Sequence, residues 1–122
     1  MKLLFIIFTF ITSIAYANTR FDVRIKHSKG FKTNIMKHSA LLDSNDEIIV
    51  EFPDEEMKIK LQANEIAEGV YETITHIYEY KNGKERLILT PSALVKNNQE
   101  RFIQAENKLN KVELRLTSSN EI

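Results

Sequence analysis

Three stretches of this chain alternate apolar and polar residues with a period of two, and that pattern leaves few folds open. Phe21, Val23 and Ile25 alternate with Asp22, Arg24 and Lys26. Met57, Ile59, Leu61 and Ala63 alternate with Lys58, Lys60 and Gln62, and Val112, Leu114 and Leu116 with Lys111, Glu113 and Arg115. Successive side chains of a strand point to opposite faces, so each stretch reads as a strand with one wet and one buried face. Such strands suit antiparallel sheets packed on one side. The segment Ala63 to Val70 is the nearest approach to a helix, and Gly69 limits it to a single helical turn between strands.

Asn82-Gly83 marks a hairpin, because a two-residue type I′ loop needs φ > 0 at both positions. That loop sets Lys81 against Lys84, Glu79 against Arg86, Tyr78 against Leu87 and His76 against Leu89. Lys29-Gly30 reads as a second such turn, with Val23 opposite Met36 and Phe21 opposite His38. The two turns belong to a wider correspondence. When residues 20–63 are laid on 73–116, Gly30 falls on Gly83, Ser39-Ala40-Leu41-Leu42 on Ser92-Ala93-Leu94-Val95, and Lys58-Ile59-Lys60-Leu61 on Lys111-Val112-Glu113-Leu114. This points to an internal duplication of a unit of roughly four strands. Neither unit can bury a face alone. The expected fold is therefore all-β, an antiparallel β-sandwich of about eight strands, with a distorted small β-barrel as the alternative. Phe21, Val23, Ile25, Met36, Val50 and Phe52, with Ile59 and Leu61, form the inward set. Their repeat partners are Ile74, His76, Tyr78, Leu89, Ile103 and Ala105, with Val112 and Leu114.

Residues 1–17 have the three parts of a secretory signal peptide: Lys2 as a positive start, an apolar run from Leu3 to Ile14, and Ala15-Tyr16-Ala17 before Asn18. The small side chains of Ala15 and Ala17 suit a peptidase that cuts ahead of Asn18. The run is shorter than the roughly 20 apolar residues of a membrane span, so no anchor is expected after cleavage. Residues 18–122 then form a single β-sandwich domain, periplasmic or secreted. The chain has no cysteine, which removes disulfides, thiolate metal sites and a lipid-modified N-terminus. Basic and acidic residues number 17 each, and loss of Lys2 leaves the acids one ahead. The signs are interspersed and no basic stripe stands out in the sequence, so nucleic acid is not an expected partner.

The stretch Thr90-Pro91-Ser92-Ala93-Leu94-Val95-Lys96-Asn97-Asn98-Gln99-Glu100 resembles a pattern of bacterial envelope proteins. In that pattern a Ser-Pro or Ala-Pro strand leads to a short polar turn, and Gln-Glu opens the next strand. Secretins carry it in their outer-membrane portion, and small periplasmic proteins carry a similar one near their C-termini. Here Arg101 follows Glu100, and no glycine follows Gly83. The resemblance implies an envelope setting and assigns no functional residue.

Chemistry is sparse. The three histidines are His27, His38 and His76, and no nucleophile elbow, zincin motif or phosphate loop is present. His76 reads as a structural histidine. Asp54-Glu55-Glu56 after Pro53 reads as a solvated turn, as does Asp43-Ser44-Asn45-Asp46, which lacks the glycine and closing glutamate of a calcium loop. No metal or cofactor is expected. Tyr71 and Tyr80, with Lys81, Asn82 and Lys84 at the turn, are the candidate partner-contact residues, because surface aromatics often anchor an interface. The expected role is an exported, non-enzymatic binding or accessory module of the bacterial envelope that contacts another envelope protein. The alternatives are a secreted inhibitor or small-ligand binder, and a small hydrolase.

Overall fold

Asn82 and Gly83 both take positive φ, +55° and +75°, and fold β5 (Val70–Lys81) back onto β6 (Lys84–Leu89) through the expected two-residue turn. Lys81 faces Lys84, Glu79 faces Arg86 and Tyr78 faces Leu87. Beyond that point a bulge shifts the register, so Ile77, and not His76, stands opposite Leu89. The computed structural model describes residues 19–43 and 45–120; the segment carrying Ala15, Ala17 and Asn18 lies outside the described residues.

The remaining strands are β1 (Thr19–Lys29), β2 (Lys32–Leu41), β3 (Glu47–Phe52), β4 (Met57–Ala67), β7 (Ser92–Lys96), β8 (Arg101–Glu106) and β9 (Asn110–Asn120). All strand pairs are antiparallel. Sheet A runs β2-β1-β9-β8, and sheet B runs β3-β4-β5-β6 with β7 also on β5. The sheets pack as a sandwich, not a closed barrel. The count reaches nine because Thr90-Pro91 divides one edge into β6 and β7. A proline has no N–H for the ladder, and the break is covered by the Thr75 N–H donating to the Pro91 carbonyl at 2.9 Å.

Each sheet combines a hairpin from each half of the chain. Sheet A joins β1–β2 to β8–β9, and sheet B joins β5–β6 and β7 to β3–β4. Exchanging the halves turns one strand order into the other. The phase between them, however, differs from the sequence expectation. The first turn is Gly30-Phe31, with Lys29 opposite Lys32, Ile25 opposite Met36 and Val23 opposite His38. Gly30 therefore opens its turn, whereas Gly83 closes its own. A one-residue offset sends every side chain of a strand to the other face. So Phe21, Val23 and Ile25 point inward on β1, while Ile74, His76 and Tyr78 lie on the outer face of β5. Tyr71, Thr73, Thr75 and Ile77 are buried in their place.

On β4 and β9 the alternation holds. Met57, Ile59, Leu61 and Ala63 face Val112, Leu114 and Leu116 across one core that also takes in Met36, Val50 and Val95. Phe52, Ile103 and Leu89 pack at its margin. The helical turn expected near Ala63 is instead the end of β4, a bulge at Glu65–Ala67 and the tight turn Glu68-Gly69 into β5.

Candidate functional site

The expected contact residues divide. Tyr80, Lys81, Asn82 and Lys84 stand together on the β5–β6 hairpin, and the last three are exposed. Tyr71, at the far end of β5, is 5% exposed. It faces inward, its ring packs edge-on against Phe21 at 5.5 Å, and its hydroxyl lies 2.8 Å from Thr19 Oγ1. Tyr71 is thus a core residue, and it takes that role because the strand phase reverses between β1 and β5.

The hairpin side chains continue into a network on the outer face of sheet B. Lys58 on β4 donates to Glu85 at 2.9 Å and lies 5.7 Å from the Tyr78 ring centre. The Tyr80 hydroxyl is 3.4 Å from both Glu51 and Glu85. The hydrogen bond to Glu85 holds the Lys58 ammonium above its usual range. Desolvation, followed by the charges of Glu51 and Glu85, raises the Tyr80 hydroxyl. Further along β5, His76 stacks on Tyr78 with ring centres 6.4 Å apart. The His76 Nδ1 is buried and has no partner among the described residues.

Past His76 the face carries Ile66, Ile74 and Leu94, while Ile49 is level with His76 across Lys60 and Leu87 stands opposite Tyr78. Ile49, Ile66, Ile74, Leu87 and Leu94 come from five strands and are all exposed on this one face. Exposed aliphatics gathered on one face mark a contact surface more strongly than scattered ones do. An open cleft of ≈ 790 Å³ runs beside Ile66, Ile74 and Leu94, with Asp46, Asn64 and Glu72 among its polar walls. The Asp46 and Glu72 carboxylates make no ion pair among the described residues. Sequence reading missed this face because its residues sit in five separate strands and because Ile74 was assigned to the core.

The histidines are placed apart. His27 is buried, and its Nε2 lies 2.8 Å from Asn110 Oδ1; His38 is exposed on β2 opposite Val23. A hydrolytic site would need a carboxylate and a serine beside a histidine, whereas His27 meets an amide and His76 a tyrosine ring. No group of three metal-ligating side chains converges among the described residues. Asp54 and Glu55 lie in a short 3-10 turn between β3 and β4. Asp43 Oδ1 accepts the N–H groups of Asn45 and Glu47, so its carboxylate is used as a local backbone cap. No family profile, curated protein or solved structure matches the chain.

Proposed function

We propose that this chain is an exported, non-enzymatic module of the bacterial envelope that acts by contact, and that the outer face of sheet B receives its partner. The observation that carries the reading is the set of five exposed aliphatic side chains on that face. Asp46 and Glu72, which make no ion pair among the described residues, lie beside Ile66, Ile74 and Leu94 and suit a partner segment with both aliphatic and basic side chains. The partner is another envelope protein, in keeping with the signal-like N-terminus and the secretin-like segment. That segment forms β7, the turn at Asn98 and the entry to β8. The equivalent strand orders of the two sheets support an origin by duplication of a unit of about four strands.

A photocrosslinking residue at position 74 or 94 tests the reading in intact cells, with position 26 on the outer face of sheet A as control. A stoichiometric adduct to one envelope protein at 74 and 94, absent at 26, is the expected result. Equal or absent labelling at all three positions would remove the proposal. A second reading, a small-ligand binder, rests on the ≈ 790 Å³ cleft alone. It predicts no protein adduct at 74.

A further inference from the structure

The fold brings together lysines that the sequence keeps dozens of residues apart. The Lys29 ammonium reaches Glu79 of β5 at 3.3 Å, which places the Gly30-Phe31 turn at the same end of the sandwich as the Asn82-Gly83 turn. Lys29 also lies opposite Asn110, so the β8–β9 turn stands beside the β1–β2 turn. Lys29 and Lys32 flank the first turn, Lys81 and Lys84 the second, and Lys108 and Lys111 belong to the third. Lys29 is paired with Glu79, and Lys111 lies 3.8 Å from Glu113. Lys32, Lys81, Lys84 and Lys108 make no ion pair among the described residues. The acidic turn Asp54 to Glu56 is at this end too: the Glu56 carbonyl accepts the Tyr80 N–H at 2.8 Å, which sets it beside the base of the β5–β6 hairpin, and Glu106 stands opposite Lys111 at the base of the third turn.

Two large apolar side chains project among these lysines. Phe31 is at 111% of its reference exposure and Leu109 at 61%. Neither position needs an apolar residue for the turn, and water penalises both. The Leu109 turn is held rigidly. Asn107 Oδ1 accepts the N–H groups of Leu109 and Asn110 at 3.0 and 2.8 Å, and the Asn107 amide donates to the Ile88 carbonyl at 3.1 Å. Beneath it, buried His27 holds Asn110.

We infer that this end of the sandwich docks on an anionic lipid surface, with Phe31 and Leu109 entering the headgroup boundary and the surrounding lysines facing lipid phosphates. Lysines near a membrane gain from its negative surface potential, and an aromatic ring favours the interface. A soluble anion would use the lysines but would give Phe31 and Leu109 no role. Lipid accounts for both. The inference is independent of the sheet B contact, which lies on a different surface.

The chain has no tryptophan, so Phe31→Trp introduces a single reporter. Its emission should shift to the blue with vesicles containing phosphatidylglycerol, and stay unchanged with phosphatidylcholine alone or with inorganic phosphate. The double variant Phe31→Ser, Leu109→Ser should lower vesicle co-sedimentation of the wild-type sequence about tenfold or more. Each of Lys32→Gln, Lys84→Gln and Lys108→Gln should weaken it about fivefold, and added salt should do the same. All these residues are exposed at turns, so circular dichroism and the thermal midpoint should match the parent. A reporter that does not move on anionic vesicles would overturn the inference. So would equal binding to neutral vesicles, or binding that survives the serine pair.

Discussion

Replacing Gly69 by alanine should destabilise the fold by about 2 kcal/mol, in two separable parts. Gly69 has φ +71°, in the left-handed region, where a Cβ costs about 1 kcal/mol or slightly more. The added Cβ would also lie 3.0 Å from Asn97 Nδ2 and 3.4 Å from its Cγ. Asn97 is not free to withdraw. Its Oδ1 accepts the hydroxyl of fully buried Ser118 at 2.8 Å, and its own N–H donates to the Gly69 carbonyl at 2.8 Å. Moving the amide loses the Ser118 bond, worth about 1 kcal/mol. A double-mutant cycle isolates that share. In a Ser118→Ala background the amide can swing away, so Gly69→Ala should cost only the backbone part, and the coupling should be about 1 kcal/mol. Urea unfolding followed by far-ultraviolet circular dichroism measures all four corners. A coupling indistinguishable from zero would show that Asn97 does not bridge the β4–β5 turn to β9. A Gly69→Ala cost below about 0.5 kcal/mol would refute the backbone argument as well.

Two further outcomes follow from buried hydroxyls. The Thr75 hydroxyl is buried in the core without a partner among the described residues, so Thr75→Val should raise stability by about 1 kcal/mol; a loss in the same urea assay would mean that the hydroxyl is bonded. Burial raises the Tyr71 hydroxyl above its ordinary value of 10.0, with the Thr19 hydrogen bond opposing it in part. The folded state thus keeps this proton after the unfolded chain has lost it, and the stability it contributes is complete below about pH 10 and lost as pH rises beyond. Tyr71→Phe should cost about 1 kcal/mol at neutral pH and flatten the alkaline fall in thermal midpoint; parallel alkaline limbs would contradict this.

How far the sequence could be read depended on where its geometry was local. Asn82-Gly83 announces its own turn, and the register of the next three residue pairs followed from it. Gly30 was ambiguous, because it can open or close a two-residue loop, and an exposed Phe31 in the turn goes against the usual preference for small polar residues. That single-residue difference carried across to β5. There Thr73 and Thr75 look like wet-face residues, and Ile74 and Tyr78 like core, yet packing reversed them. Tyr71 was misplaced for the same reason. The bulge at Ile77 depends on the neighbouring strand and has no local signature, whereas the edge break at Pro91 is written in the proline itself. The lysine-rich end is illegible in principle to a linear scan. Its members lie in three turns, and only the sheet order makes them neighbours.

The pairing of β1 with β9, from Thr19 opposite Asn120 to Lys29 opposite Asn110, has a kinetic consequence. The first and last strands of the described chain form the centre of sheet A, so that sheet cannot be completed until the whole domain has been delivered. Local hairpins can form early, but pairing β1 with β9 requires a closure across nearly the full length of the domain. Such topologies fold in milliseconds to seconds, well behind helical domains of similar size. A nascent chain ending before β9 would hold β1 with an open edge and lack the core side chains Val112, Leu114 and Leu116. β9 is therefore the last piece that sheet A waits for, and the sandwich should close as one cooperative event once it is present.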